Sequence, residues 1–165
     1  MLEISKEKFE EAFEKTKNLD FSLAIKKLQL KEDWTEERAI KAVEGYKKYL
    51  ALTKALDGYQ LVPNADIDEI WHYHILDTRQ YVKDCEEIFG GFLHHYPYFG
   101  MLDEQNEKEW KKYQEISNSI WQELFDEDLY ESSYAPNCPQ ACPCQNKSEE
   151  IIENNGIDYN YRVAC

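Results

Sequence analysis

The stretch DIDEIWHYHILDTRQYVKDCEEIF at residues 66–89 decides the fold class, because its apolar and aromatic positions return every three or four residues. Ile67, Ile70, Trp71, His74, Ile75, Tyr81, Val82, Cys85 and Phe89 trace one long helical face, a period no strand can satisfy. Asp66 to Glu69 has the spacing of a capping box at its start, and Gly90-Gly91 supplies a stop.

The same period extends outward. Towards the N-terminus, a helix over Lys6 to about Lys17 turns Phe9, Ala12 and Phe13 inward, and a second, N-capped by Asp20, buries Phe21, Ala24, Ile25 and Leu28. Asp33-Trp34-Thr35-Glu36 is a capping box for a third, with the stripe Ala39, Ala42, Val43, Tyr46, Tyr49 and Leu50 and an end at Gly58. Towards the C-terminus, a loop holding His94-His95-Tyr96-Pro97 leads to a last long helix near Asp103 to Asp126, with Trp110, Tyr113, Ile120, Trp121, Leu124 and Phe125 inward. Only six glycines and five prolines punctuate 165 residues. The expectation is an all-α, compact bundle of about five helices over residues 1–127, followed by an irregular, cysteine-containing tail over 128–165 where no period holds.

Charge narrows the partners. With 33 acidic against 19 basic residues the formal charge is −14, a field that repels phosphate backbones and anionic lipid heads. Nucleic acid and membrane surfaces are therefore not expected, and a protein or peptide partner or a small molecule is. The first residues lack the basic start and apolar run of a secretory signal, so the expected compartment is the cytoplasm. Five cysteines, four of them in the last 28 residues, do not form an even disulfide framework.

All four histidines, His72, His74, His94 and His95, lie within 24 residues among several acids, the composition of a metal site. Residues two apart on a helix point about 160° from each other, so His72 and His74 cannot share an ion on a regular helix. From His72 to Phe89 an unbroken helix runs about 25 Å, whereas the five residues on to His94 reach about 17 Å, so bringing all four together needs an early break. Two half-sites remain: Asp68 with His72 at i,i+4, and His74 with Asp77 at i,i+3. The plainer reading of His74 is a buried imidazole held by a carboxylate or carbonyl, since it lies on the apolar stripe. For His72 it is a solvated histidine beside an acid. His94 and His95, in a loop, read as contact residues, with Trp71 as a further ligand-binding candidate. Cys138, Cys142 and Cys144 could wrap one soft ion, with Cys165 as a fourth donor, or form an exposed redox cluster. The expected cofactor is a transition metal: zinc, iron or copper.

Asp33-Trp34, Tyr46-x-x-Tyr49-Leu50, Val62-Pro63, Asp66-Ile67-Asp68-x-x-Trp71-His72-x-His74, Tyr81-x-x-Asp84-Cys85 and Phe89-Gly90 with His94-His95 together resemble the glycine-rich domain-containing protein-like family over roughly Leu19 to Pro97. The resemblance implies a helical domain with Asp68, Trp71, His72, His74, Asp84 and Cys85 as its signature, and no settled reaction. The expected function is a small helical metal- or ligand-binding module. Two alternatives stand beside it. One is a metal-dependent oxidase or hydrolase using the Trp-His-x-His helix. The other is an interaction or carrier protein whose cysteine-bearing tail a partner binds or modifies.

Overall fold

The structure, a computed structural model, describes residues 5–131, and among these the chain forms six α-helices and no strand. In chain order they are α1 (Lys6–Thr16), α2 (Ser22–Lys31), α3 (Glu36–Ala55), α4 (Ala65–Leu76), α5 (Thr78–Phe89) and α6 (Glu104–Phe125). The expected all-α bundle is present, with one helix more than about five. Cys138, Cys142, Cys144 and Cys165 lie outside the described residues.

The centre is α3, capped by the Thr35 hydroxyl, which accepts from the Arg38 amide at 3.2 Å. Its Ala39, Ala42, Val43, Tyr46, Tyr49, Leu50, Ala51 and Leu52 are all buried, and α1, α2 and α4 pack around it. α4 approaches α3 closely at Gly45, where an added Cβ would stand 3.2 Å from the Ile67 side chain and make it shift by a few tenths of an ångström. The caps differ in detail from the sequence reading. Thr35 takes the position given to Asp33, Asn64 caps α4 in place of Asp66, and Phe21 occupies the N-cap of α2 while Asp20 accepts from the Ser22 amide. Asp66 is engaged instead in a two-pronged pair with Arg38, at 2.7 and 3.2 Å.

The long helix read over 66–89 is two helices. Asp77 leaves helical geometry at φ −86, ψ 71, and its carboxylate accepts from the Gln80 amide at 3.4 Å, capping α5. Asp and Thr favour caps over helix interiors because their side chains compete for backbone amides, and Leu76-Asp77-Thr78 supplies both. Folding back resets the helical phase. Tyr81, Asp84, Cys85 and Ile88 therefore face the core, while Val82, expected inward, is 55% exposed.

Across the break runs a buried polar chain. The Tyr46 hydroxyl is 3.0 Å from His74 Nδ1, His74 Nε2 is 3.1 Å from an Asp84 oxygen, and the other Asp84 oxygen accepts from Gln80 at 2.6 Å. Trp71, fully buried, donates its indole N–H to the Tyr81 hydroxyl at 2.9 Å. Rings of Phe21 and Tyr81 meet His74 edge-on at 5.0 and 4.8 Å. Every polar member has a partner, which is the condition for such a network to stabilise a core.

Removing His74 strands the Asp84 carboxylate and the Tyr46 hydroxyl, so His74→Ala is expected to cost about 3 kcal/mol or more in urea unfolding. The double variant His74→Leu/Asp84→Leu should recover much of it, since apolar fillers need no partners. A cost under about 1 kcal/mol for His74→Ala would show that the network does not hold α4 to α5.

Candidate metal centre

Helix α4 sorts its polar residues by phase. His74 points into the core, while Asp68 and His72, one turn apart, share the partly exposed side, their side chains 34% and 41% exposed. The loop after α5 meets them. Gly90 ends α5 in the left-handed conformation (φ 72), and the Tyr81 hydroxyl donates to the Leu93 carbonyl, fixing where the chain returns. At the loop's far end Gly100 (φ 92) lies so close to Trp110 that an added Cβ would stand 2.8 Å from the indole, and its amide donates to Asn106 at 2.6 Å.

Between these anchors His95 lies flat on Trp71, ring centroids 4.3 Å apart and planes 18° from parallel. Its Nε2 is 2.8 Å from His72 Nε2 and 3.3 Å from an Asp68 oxygen, and the other Asp68 oxygen is 3.7 Å from His72 Nε2. Asp68, His72 and His95 thus form a cluster that could hold a metal ion, each offering one donor atom within 4.8 Å of the others. The side chain of His95 is only 9% exposed, and its Nδ1 is buried without a hydrogen-bond partner.

On the far side of the His72 ring Glu69 lies 3.9 Å from Nδ1, an ion-pair distance. The Nε2 atoms of His72 and His95 share one hydrogen between them, and either ring can donate it; an ion between them takes the place of that hydrogen. The Glu69 carboxylate raises the His72 pKa above its ordinary 6.5, burial opposes this, and Asp68 adds to the rise. For His74 burial dominates and lowers the pKa below 6.5 despite Asp84. Burial also lifts the Tyr46 hydroxyl and the Cys85 thiol above their ordinary ranges.

The residues singled out in the sequence divide three ways. Asp68 and His72 stand together as the i,i+4 reading has them, and His95 joins them from the loop. His74 and Asp77 are not brought together as a donor pair: His74 hydrogen-bonds Asp84, and Asp77 caps α5. Trp71 is a buried shelf under His95, and His94 is exposed, its ring 4.9 Å from Phe92. Sequence reading missed Glu69 as a partner of His72, although its i,i+3 spacing was a usable signal. It also missed His95 as a companion of His72, because the reach argument assumed an unbroken helix.

The family model UCP032817-like matches residues 5–117, a span that holds every residue of the cluster and of the buried chain. No curated protein and no solved structure matches the chain. The chain belongs to the UCP032817-like family, which overturns the resemblance to the glycine-rich domain-containing protein-like family. The spaced Trp-His-x-His pattern has a local cause: any helix that buries Trp71 and His74 and exposes His72 produces it. None of the described helices is long and apolar enough to cross a membrane.

The two shifted histidines push stability in opposite directions with pH. His74, with its folded pKa below 6.5, contributes stability above that pH, lost as the pH falls towards its folded value. His72, with its folded pKa raised, contributes stability below 6.5, lost as the pH rises through the raised value. Imidazole NMR titration should show His72 taking up its proton above pH 6.5 and His74 taking up its proton below it. His74→Gln should remove the His74 share of the acid-side loss of unfolding free energy, leaving that of the carboxylates. An unchanged pH profile in that variant would contradict the assignment.

Proposed function

We propose that this member of the UCP032817-like family is a small helical metal-binding module, holding one divalent first-row ion through Asp68, His72 and His95. The observation that carries the reading is the convergence of two imidazole nitrogens and a carboxylate from two separate chain segments. The spacing supports it. Two nitrogens on a tetrahedral zinc stand about 3.3 Å apart; one Asp68 oxygen is 3.3 Å from His95 Nε2 and the other 3.7 Å from His72 Nε2, and the imidazoles at 2.8 Å need to part by about 0.5 Å. Two imidazoles with one carboxylate favour zinc or iron(II); copper(I) prefers sulfur donors. Three protein donors leave coordination positions for water or a small ligand, the arrangement a metal-dependent enzyme would also need.

Elemental analysis and calorimetric titration with zinc test this on the full chain. One ion per chain is expected, with affinity falling by more than about 100-fold in Asp68→Ala, His72→Ala and His95→Ala, and circular dichroism unchanged. A chain ended before Cys138 should bind as the whole chain does. Binding lost on that truncation alone would move the ion to the thiols, and folded protein that takes no metal would remove the reading altogether.

A second reading, recognition of a protein or peptide, is favoured by the loop that carries His95. Phe92, Tyr96, Tyr98, Met101 and Leu102 are 36–63% exposed within it, more apolar surface than a solvated loop needs. Because His95 belongs to the same loop, ion binding would stiffen this surface. Amide hydrogen exchange over residues 92–102 should slow when zinc is added to the wild type and not in His95→Ala. Exchange unaffected by zinc that is demonstrably bound would separate the loop from the ion.

A further inference from the structure

Helix α2 keeps one face uncovered. Leu28 turns into the core, while Leu23, Lys26, Lys27 and Leu30, at the i, i+3, i+4 and i+7 spacing of one helical side, are all exposed. Leu76 stands close by: Lys27 Nζ lies 4.8 Å from the centre of the Tyr73 ring, and Leu76 follows Tyr73 one turn later on α4. The three leucines are 69–78% exposed, more than any other large apolar side chain among the described residues. One exposed leucine is ordinary surface, but three grouped where two helices meet are a patch.

The charge of this patch is opposite to that of the chain. Helix α2 holds Lys26, Lys27 and Lys31 and no acid, in a protein of net charge −14. The acids that flank it are engaged: Asp20 accepts from the Ser22 amide at 2.9 Å, and Glu32 from the Tyr73 hydroxyl at 3.3 Å. Lys26 and Lys31 have no carboxylate at ion-pair distance among the described residues. A segment that covers the face must therefore bring apolar side chains flanked by acids. The chain itself holds one. Glu149-Glu150-Ile151-Ile152-Glu153, outside the described residues, sets two isoleucines between glutamates. The connection from Glu131 through residues 132–148 reaches up to about 60 Å, against about 33 Å for the length of α6, so the face is within range. Attachment to the same chain supplies an effective concentration on the order of a millimolar, enough to populate a contact too weak to form between separate molecules.

We propose that the exposed face of α2 is the docking site of the chain's own stretch Glu149–Glu153, its glutamates paired with Lys26, Lys27 and Lys31 and its isoleucines covering Leu23 and Leu30. The contact is independent of the metal-binding reading, since none of these residues belongs to the cluster. While docked, the stretch keeps this surface from acidic segments of other proteins.

The test uses the full chain, as an equal mixture of nitrogen-15-labelled and unlabelled protein, treated with a carbodiimide that joins lysines to carboxylates in direct contact. Mass spectrometry of the digest reads the links, with Lys48 and Glu127, 3.1 Å apart, as internal control. Links from Lys26, Lys27 or Lys31 to Glu149, Glu150 or Glu153 are expected within single chains. Their yield should fall by about tenfold in Ile151→Ser/Ile152→Ser and in Leu23→Ser/Leu30→Ser, which keep every charge, with circular dichroism unchanged. Amide hydrogen exchange over residues 22–31 should quicken in Ile151→Ser/Ile152→Ser, a variant that leaves α2 itself intact. Undiminished links in that variant would reduce the contact to undirected charge attraction and overturn the proposal. So would α2 lysines that link to other acids, or to none, while the control forms. Links between labelled and unlabelled chains would put the stretch of a second copy on α2 and overturn docking within one chain.

Discussion

Asp77 interrupts what would otherwise be one helix, and the hydrogen bond between His74 and Asp84 depends on that interruption. Ten residues of straight helix would hold the two side chains about 15 Å apart, yet their atoms meet at 3.1 Å. Once α5 folds back on α4, Tyr81 reaches both the Trp71 indole and the Leu93 carbonyl. That second bond aims the following loop at α4 and lays His95 on Trp71. The candidate centre is therefore a consequence of a core contact made by other residues: His74 closes the hairpin, and His72, on the opposite phase of the same helix, benefits.

His72 and His74 show how two residues of one type and one neighbourhood acquire opposite character. Two steps along a helix turn a side chain by most of half a circle, which sends one imidazole between α3 and α5 and leaves the other at the surface. Burial then depresses the affinity of His74 for a proton, while Glu69 and Asp68 raise that of His72. The acidity of the whole chain, −14, adds a field that draws cations towards such a cluster and works against anions. An ion at Asp68 would also offset carboxylate charge crowded at the start of α4, where Asp66 already takes Arg38.

How much of the site could be read in advance follows from geometry. The Asp68–His72 pair was legible because i,i+4 neighbours meet on any regular helix. His95 was not, because its distance from His72 along the chain was measured on a helix assumed to be continuous; the Leu76-Asp77-Thr78 signal that breaks it was present but weaker than the apolar period running through it. Asp84 stood in the signature of conspicuous residues and Tyr46 on the stripe of α3, yet nothing local joins them to His74. Their contact requires three helices to be in place at once.

The sequence by itself determined what depends on neighbours within a turn or two: the all-α class, the near-complete buried stripe of α3, the stop at Gly90, and the span of the last helix from its Asp103 cap to Asp126. Helical periodicity and capping are local, so they survive without knowledge of the rest. Tertiary structure alone decided the partner of His74, the place of His95 and the exposure of Val82. Each of these turns on the direction the chain takes after Asp77, and that direction is set by which buried polar groups can satisfy one another across α3, α4 and α5.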